Sequence, residues 1–495
     1  MKKRSGNMLL AGVLSAVLAF GPLVGCGAQS GTTTSGSEAS TEVVEETTEE
    51  TTEQAADDPT AADASFELAE APVTGTTYQE KWEPREGYTL KQVVAVSRHN
   101  LRAPQEKDME SLSQSTPHSW IPWSSNGSEL TVKGGVAETI MGEFFRKWLE
   151  REGLIPQNYI PEEGAVRFYA NPRQRTLATT QFFSSGMLPV ANVDIEYHGE
   201  YDSRDPTFKP RFGYVSDSYT EAATAEVAAF GKDAGLAGID ADLQENYDLI
   251  EEVLDYQNSA AYQAGDTQDL VTGDTGYTVE LDEEPGVTGS LKVANKLSDA
   301  LTLQYYEADD IADASFGMPL TYEQWQKIAT VKNFYGDWRY NSKLVGVDCA
   351  RLLVAEVRDE LGKDGRVFSF LCGHDSNMSS LLHALGVKDY DLPDTLETKT
   401  PIGSKIVFDV WENEAGEKFC NVHFVYATTD QVRNLVLLSF ENAPASYDLE
   451  FEGITRNADG LYKLEDVQKL LADTAAAYDQ LAVDYPDAAE LDAAA

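Results

Sequence analysis

Three apolar runs stand far apart along the chain. They are "LKQVVAV" (90–96), "AVRFYA" (165–170) and "RVFSFLC" (366–372), each rich in β-branched or aromatic residues. Such runs, with little polar alternation, read as strands buried on both faces. Segments with a different period lie between them. "VAETIMGEFFRKWLEREGL" (136–154) carries apolar residues at helical spacing and stops at Gly153. "RQRTLATTQFFSSGM" (173–187) and "SNMSSLLHALG" (376–386) predict helices directly after the second and third strands. Strands alternating with helices predict an α/β fold, a parallel-core sheet flanked by helices.

From about residue 200 to 340 the pattern changes. "TEAATAEVAAFGKDAG", "QENYDLIEEVLDYQ", "GSLKVANKLSDALTLQYYE" and "TYEQWQKIATVKNFYGDW" all read as helices, and strand candidates are few. This stretch is expected to be an all-α insertion domain, 200–340, dividing an α/β domain into residues 76–199 and 341–485. "KIVFDVW" (405–411) and "FCNVHFVYA" (419–427) alternate around the turn "NEAGEK", which predicts a closing antiparallel pair.

The N-terminus has a targeting pattern. Lys2, Lys3 and Arg4 precede the apolar stretch "MLLAGVLSAVLAF", which is short for a membrane span. It ends in "LVGC", which resembles the bacterial lipobox. That resemblance implies a lipoprotein signal peptide over residues 1–25 and a lipidated Cys26. A lipid anchor would hold the protein on a membrane at the extracytoplasmic cell surface without a spanning helix. Residues 26–75 then form an acidic Thr/Glu-rich stalk. It has 12 acids between Glu38 and Glu70 and no Lys or Arg. Such a composition buries too little apolar surface to fold, so the stalk is expected to be disordered.

Charge narrows the partners. The 83 acids and 38 bases give a formal net charge of −45. That argues against nucleic acid, whose phosphates need a basic face. An anionic small molecule must instead be held by a local positive pocket working against the global field. Cysteine use is sparse. Beyond Cys26 only Cys349, Cys372 and Cys420 remain, an odd number, so at least one thiol is free or pairs with another molecule. No arginine stands six residues after any of them, so a cysteine phosphatase loop is absent. The six histidines show no zinc-type spacing. Neither a metal nor a cofactor is expected, and the sequence sets no oligomeric state.

Each of the three parallel strands ends in polar residues suited to chemistry. The first delivers Arg98, His99 and Arg102 in "SRHNLRAP". The second delivers Arg175 in the first turn of its helix, and the third delivers His374 and Asp375 in "GHDSN". Ligands of open α/β sheets bind at the carboxyl ends of the strands. If these strands are neighbours, the six residues converge. Three guanidinium groups and helix N-termini suit a phosphate. A neutral imidazole can attack phosphorus and form a phosphohistidine, and a protonated carboxyl can supply the proton that the leaving alcohol needs.

"SRHNLRAP" with "GHDSN" resembles the histidine acid phosphatases, branch two of the histidine phosphatase superfamily. The likeness is greatest to the glucose-1-phosphatases and to phytase-like enzymes. It continues through "STPHSW", "LTVKGG", "YANPRQRT", "DPTFKP", "EEPGVTGSLKVANKLSDALTLQYYE" and "TPIGSKIVF". The resemblance implies a phosphoglycerate-mutase-like fold, with His99 as nucleophile and Asp375 as proton donor. It implies phosphate binding by Arg98, Arg102, Arg175 and His374, and a substrate contact from Glu284 in the helical part. Asn100 and Ser376 follow the glucose-1-phosphatases; phytases usually carry Gly and Thr there. Two features depart from the pattern, the lipobox with its stalk and the lack of an evident disulfide framework. The reading is a surface-anchored phosphomonoesterase acting on small phosphate esters, sugar phosphates such as glucose 1-phosphate and also phytate. Three rivals stay open: a phytase with inositol polyphosphate as its main substrate, a lipoprotein that binds sugar phosphates without cleaving them, and a mutase or phosphotransferase sharing the phosphohistidine.

Overall fold

The computed structural model describes residues 78–270 and 273–486. The signal peptide, Cys26 and the stalk lie outside the described residues. The described residues all belong to one compact unit. In chain order the strands are β1 (Tyr88–Arg98), β2 (Val166–Ala170), β3 (Ile195–Glu196), β4 (Gly276–Thr278), β5 (Gly286–Thr288), β6 (Phe368–Gly373), β7 (Lys405–Asn413), β8 (Lys418–Tyr426), β9 (Ala445–Asp448) and β10 (Tyr462–Lys463). Eight of them make one sheet, in the order β10-β8-β7-β1-β6-β2-β3 with β9 on β8. β1, β6, β2 and β3 run parallel. β7 pairs antiparallel with β1 and with β8, so the expected closing pair is present.

The apolar runs become the central strands because both of their faces are covered. Val93, Val94, Ala95, Phe368, Phe370 and Leu371 have no solvent exposure. Burying each large side chain is worth about 1.5–3 kcal/mol. The helix Gln174–Met187 lies against the helix Val132–Arg151, and the approach is close. A Cβ on Gly142 would stand 2.2 Å from Phe183 O, so glycine is what lets the two backbones meet.

Register decides where the strand ends fall. Ser97 pairs with Cys372, and Cys372 pairs with Ala170. The carboxyl ends of β1, β6 and β2 are therefore level. The next residues along the three strands, Arg98–His99, Gly373–His374 and Asn171, emerge side by side.

The insertion differs from the all-α expectation in one respect. Its helices, including Asp217–Ala228, Leu236–Leu254, Ser290–Glu307 and Tyr322–Trp338, are joined by an antiparallel hairpin, β4–β5. Strands of three residues are too short to show a period of two. The helical core also draws on residues outside 200–340. Leu101, Leu112, Leu396, Ile402 and Val432 pack into it. This sharing ties the helical layer to the loops that follow β1 and precede β7.

Candidate active site

His99 follows the last residue of β1 and is buried. Its backbone N–H donates to Gly373 O at 3.0 Å, which ties it to the end of β6. Its Nδ1 lies 2.8 Å from Asn100 O. A carbonyl only accepts, so Nδ1 carries the proton and Nε2 keeps its lone pair. Burial holds the imidazole well below its ordinary pKa, and Arg175, His374, Arg98 and Arg102 push it further down. These effects favour the neutral ring.

His374 is fixed in a complementary way. Asn171 Oδ1 accepts from Asp205 N at 3.0 Å, so its Nδ2 is the donor that meets His374 Nε2 at 2.7 Å. The proton of His374 then sits on Nδ1, and burial, Arg175 and Arg204 keep the ring neutral. Arg175 Nη2 lies 3.4 Å from that Nδ1, so two donors stand side by side. The ring of His99 is 5.4 Å from the ring of His374.

Arg175 is exceptional among the three arginines. It has no carboxylate partner among the described residues, and its buried Nε has no hydrogen-bond partner there either. Burial, with Arg102, Arg173 and Arg204 nearby, pushes its pKa down to about 9. A buried, uncompensated guanidinium is costly, and an oxyanion between Arg175 and His374 would relieve the cost. Arg98 and Arg102 differ from Arg175 in having carboxylate partners. Arg98 Nη1 donates to Glu397 Oε1 at 2.7 Å and Arg102 Nη2 to Asp299 Oδ2 at 2.9 Å. Each is already neutralised in part by a carboxylate.

Asp375 opens the helix Asp375–Ala384, and its carboxylate is 31% exposed. Arg98 Nη2 lies 3.7 Å away and Lys332 Nζ 3.6 Å away. Burial works to raise its pKa, but Arg98 and Lys332, with His99 and Arg339, outweigh it and hold the carboxyl well below the usual range. Asp375 also lines a cleft under the helical layer. Seven cations, Arg102, Lys107, Arg204, Lys292, Lys296, Lys332 and Arg339, face three carboxylates there, Asp108, Asp299 and Asp375. The local field thus opposes the overall charge of −45. The cleft is a local positive pocket of the kind an anionic ligand would need on so acidic a chain.

Glu284 does not line this cleft. It sits in the loop between β4 and β5, paired with Arg204 and, at 3.7 Å, with Arg339. It therefore touches the rim through two arginines. Sequence reasoning also missed Asn171, Asp299, Lys332 and Glu397. Asn171 had a signal, since it stands at the end of β2 within "YANPRQRT". Lys332 had none, because a lysine on a helix normally marks a solvated face.

A family model describing the histidine phosphatase superfamily (branch 2) matches residues 89–427. The chain belongs to this family. As a histidine phosphatase it is 37% identical to a glucose-1-phosphatase of Salmonella typhimurium over 391 residues, which is 78% of this chain and 92% of that protein. A glucose-1-phosphatase of Providencia rettgeri is 34% identical over 77% of this chain and 91% of its own length. A phytase of Escherichia coli is 25% identical over 76% and 89%. Among solved structures, the Hafnia alvei phytase in complex with tartrate superposes with a TM-score of 0.71 at 23% identity, covering 79% of this histidine phosphatase and 98% of that chain. The last likeness concerns the fold. Cys349, Cys372 and Cys420 are buried and free, so the at-least-one unpaired thiol that the odd count required is present. Among the described residues no helix is long and apolar enough to cross a membrane.

Proposed function

We propose that this protein is a phosphomonoesterase that hydrolyses sugar phosphates of the glucose 1-phosphate type and phytate through a phosphohistidine on His99. One observation carries the reading: an imidazole with a free Nε2 stands beside two donors, His374 Nδ1–H and the Arg175 guanidinium. Nε2 attacks phosphorus while the bond from phosphorus to the ester oxygen breaks. Arg175, His374, Arg98 and Arg102 stabilise the charge on the equatorial oxygens. Asp375 passes a proton to the departing oxygen. A water then attacks the phosphohistidine, Asp375 takes up its proton, and inorganic phosphate leaves. Free Asp375 is a carboxylate, so its proton arrives with the substrate. A phosphate monoester bears its last proton near a pKa of about 6, and its negative charge offsets Arg98 and Lys332. The optimum is therefore acidic.

The decisive experiment measures phosphate release from glucose 1-phosphate, phytate and p-nitrophenyl phosphate, with His99→Ala as the control. Turnover that survives in His99→Ala refutes the mechanism. Rapid mixing adds a second readout, a burst of leaving group matched by acid-labile phosphate on the protein.

The N-terminal pattern of Lys2, Lys3, Arg4, an apolar stretch and "LVGC" supports lipidation of Cys26 and attachment to an extracytoplasmic membrane surface. Cys26→Ser would then move the full chain from the membrane pellet to the soluble fraction. An unchanged distribution would dismiss the anchor.

A further inference from the structure

The nucleophile belongs to a closed ring of hydrogen bonds that runs through a fully buried ion pair. His99 Nδ1 donates to Asn100 O at 2.8 Å. Asn100 Nδ2 donates to Glu138 Oε2 at 2.7 Å. The other oxygen of Glu138 accepts from Lys405 Nζ at 2.8 Å, and Lys405 donates also to Gly403 O at 2.5 Å. Gly403 N then donates to His99 O at 3.2 Å and closes the circuit. Glu138 comes from the helix Val132–Arg151, and Lys405 begins β7. Neither is exposed.

We infer that Glu138 is a positioning residue that holds the His99 imidazole in its reactive tautomer and direction, acting through Asn100, while Lys405 balances its buried charge. The inference rests on the proposed role of His99. A buried ion pair adds little net stability, because desolvation offsets the attraction. This one adds direction. The carbonyl that fixes the Nδ1 proton belongs to Asn100, and that residue is held at three points. Its N–H donates to Thr179 Oγ1 at 3.0 Å, its Oδ1 accepts from Leu101 N at 2.8 Å, and its Nδ2 is held by Glu138. The backbone leaves no slack. Gly403 has a φ of +67°, and a Cβ there would stand 2.4 Å from Asn100 Nδ2. The ring contains no phosphate-binding arginine, so its loss should act on the chemical step rather than on binding. It also gives Asn100 a function that a glycine at this position could not serve, since glycine has no amide for Glu138.

Two double variants separate positioning from mere packing. Glu138→Ala with Lys405→Met removes both charges and the acceptor for Asn100. Glu138→Gln with Lys405→Met removes both charges and leaves an amide oxygen in place. The first should lower kcat about tenfold to a hundredfold, the scale on which small misplacements act, with KM changed less than about threefold. The second should keep kcat within about threefold of the parent, since the positioning bond survives. Adding Asn100→Ala to the first should cost little more, because both changes cut the same path. Equal kcat losses in the two variants, a loss confined to KM, or full additivity with Asn100→Ala would overturn the inference. Should either double variant fail to fold, Asn100→Ala alone carries the test, since it leaves the ion pair intact. A parent-like kcat there overturns the inference too. His99→Ala runs alongside: an active His99→Ala removes the nucleophile reading, whereas an inactive one with parent-like ring variants removes only the ring.

Discussion

Lys332 Nζ lies 3.6 Å from Asp375 Oδ2, so a helix of the insertion reaches the carboxylate at the end of β6. Lys332 also donates to Glu397 Oε1 at 2.6 Å, where it meets Arg98. Its charge is one of those that hold Asp375 well below the ordinary carboxylate pKa. Lys332→Met should therefore raise the pKa of Asp375. A higher pKa keeps the acid protonated to higher pH, so the alkaline limb of the kcat profile for glucose 1-phosphate should move upward. A limb that moves down, or stays in place, would detach Lys332 from the proton donor. Glu397 keeps Arg98 as a partner in this variant, so the fold should persist.

Asp375→Asn tests the donor itself. The amide cannot give a proton to the leaving oxygen, and such help is worth about 10²–10⁴-fold. A sugar alkoxide needs that proton, whereas p-nitrophenolate leaves well without it. The loss on glucose 1-phosphate should therefore exceed the loss on p-nitrophenyl phosphate by a wide margin. Equal losses on the two substrates would take the acid role away from Asp375.

Arg175 is the guanidinium that lacks a carboxylate partner among the described residues, so its substitution should cost most in catalysis and least in stability. Arg175→Met should lower kcat/KM about 10²–10³-fold, the scale for removing a charged donor from a developing oxyanion. It should not lower the melting temperature, because an uncompensated buried charge is removed. Arg175→Lys should recover little, since an ammonium offers a point charge in place of a planar fork. A melting temperature that falls by several degrees would show that Arg175 is structural.

The parallel strands β1, β2 and β6 were legible because they read as unbroken apolar runs, β1 and β6 being buried on both faces. β3, β4, β5 and β10 were not, since segments of two or three residues carry no period. The site divides in a similar way. His99, Arg175 and His374 follow strand ends, and the level register of β1, β6 and β2 brings them together as expected. Glu397, Asp299 and Lys332 could not be read. They lie in a loop and on helices, where a charged side chain ordinarily faces water. Only the packing of the helical layer over the sheet turns them inward. The same packing explains why Arg98 and Arg102, expected to bind phosphate, also hold carboxylates.

The cleft's excess of cations sets the dependence on substrate charge. Glu284 neutralises part of it by pairing with Arg204 and Arg339 at the rim. Glu284→Gln frees both guanidinium groups and raises the local positive charge. On the proposed binding by Arg175 and His374, a substrate with a single phosphate should gain little from that. Phytate carries further phosphates that should meet the rim, and it should gain more. The variant should therefore lower KM for phytate relative to glucose 1-phosphate, and the advantage should shrink with salt. The Debye length falls from about 30 Å at 0.01 M to about 8 Å at 0.15 M, so the two substrates should converge as ionic strength rises. A KM ratio that ignores both the substitution and the salt would mean that the distal cations do not meet the substrate. In that case the seven cations of the cleft would act only on the fold and on the acids beside them.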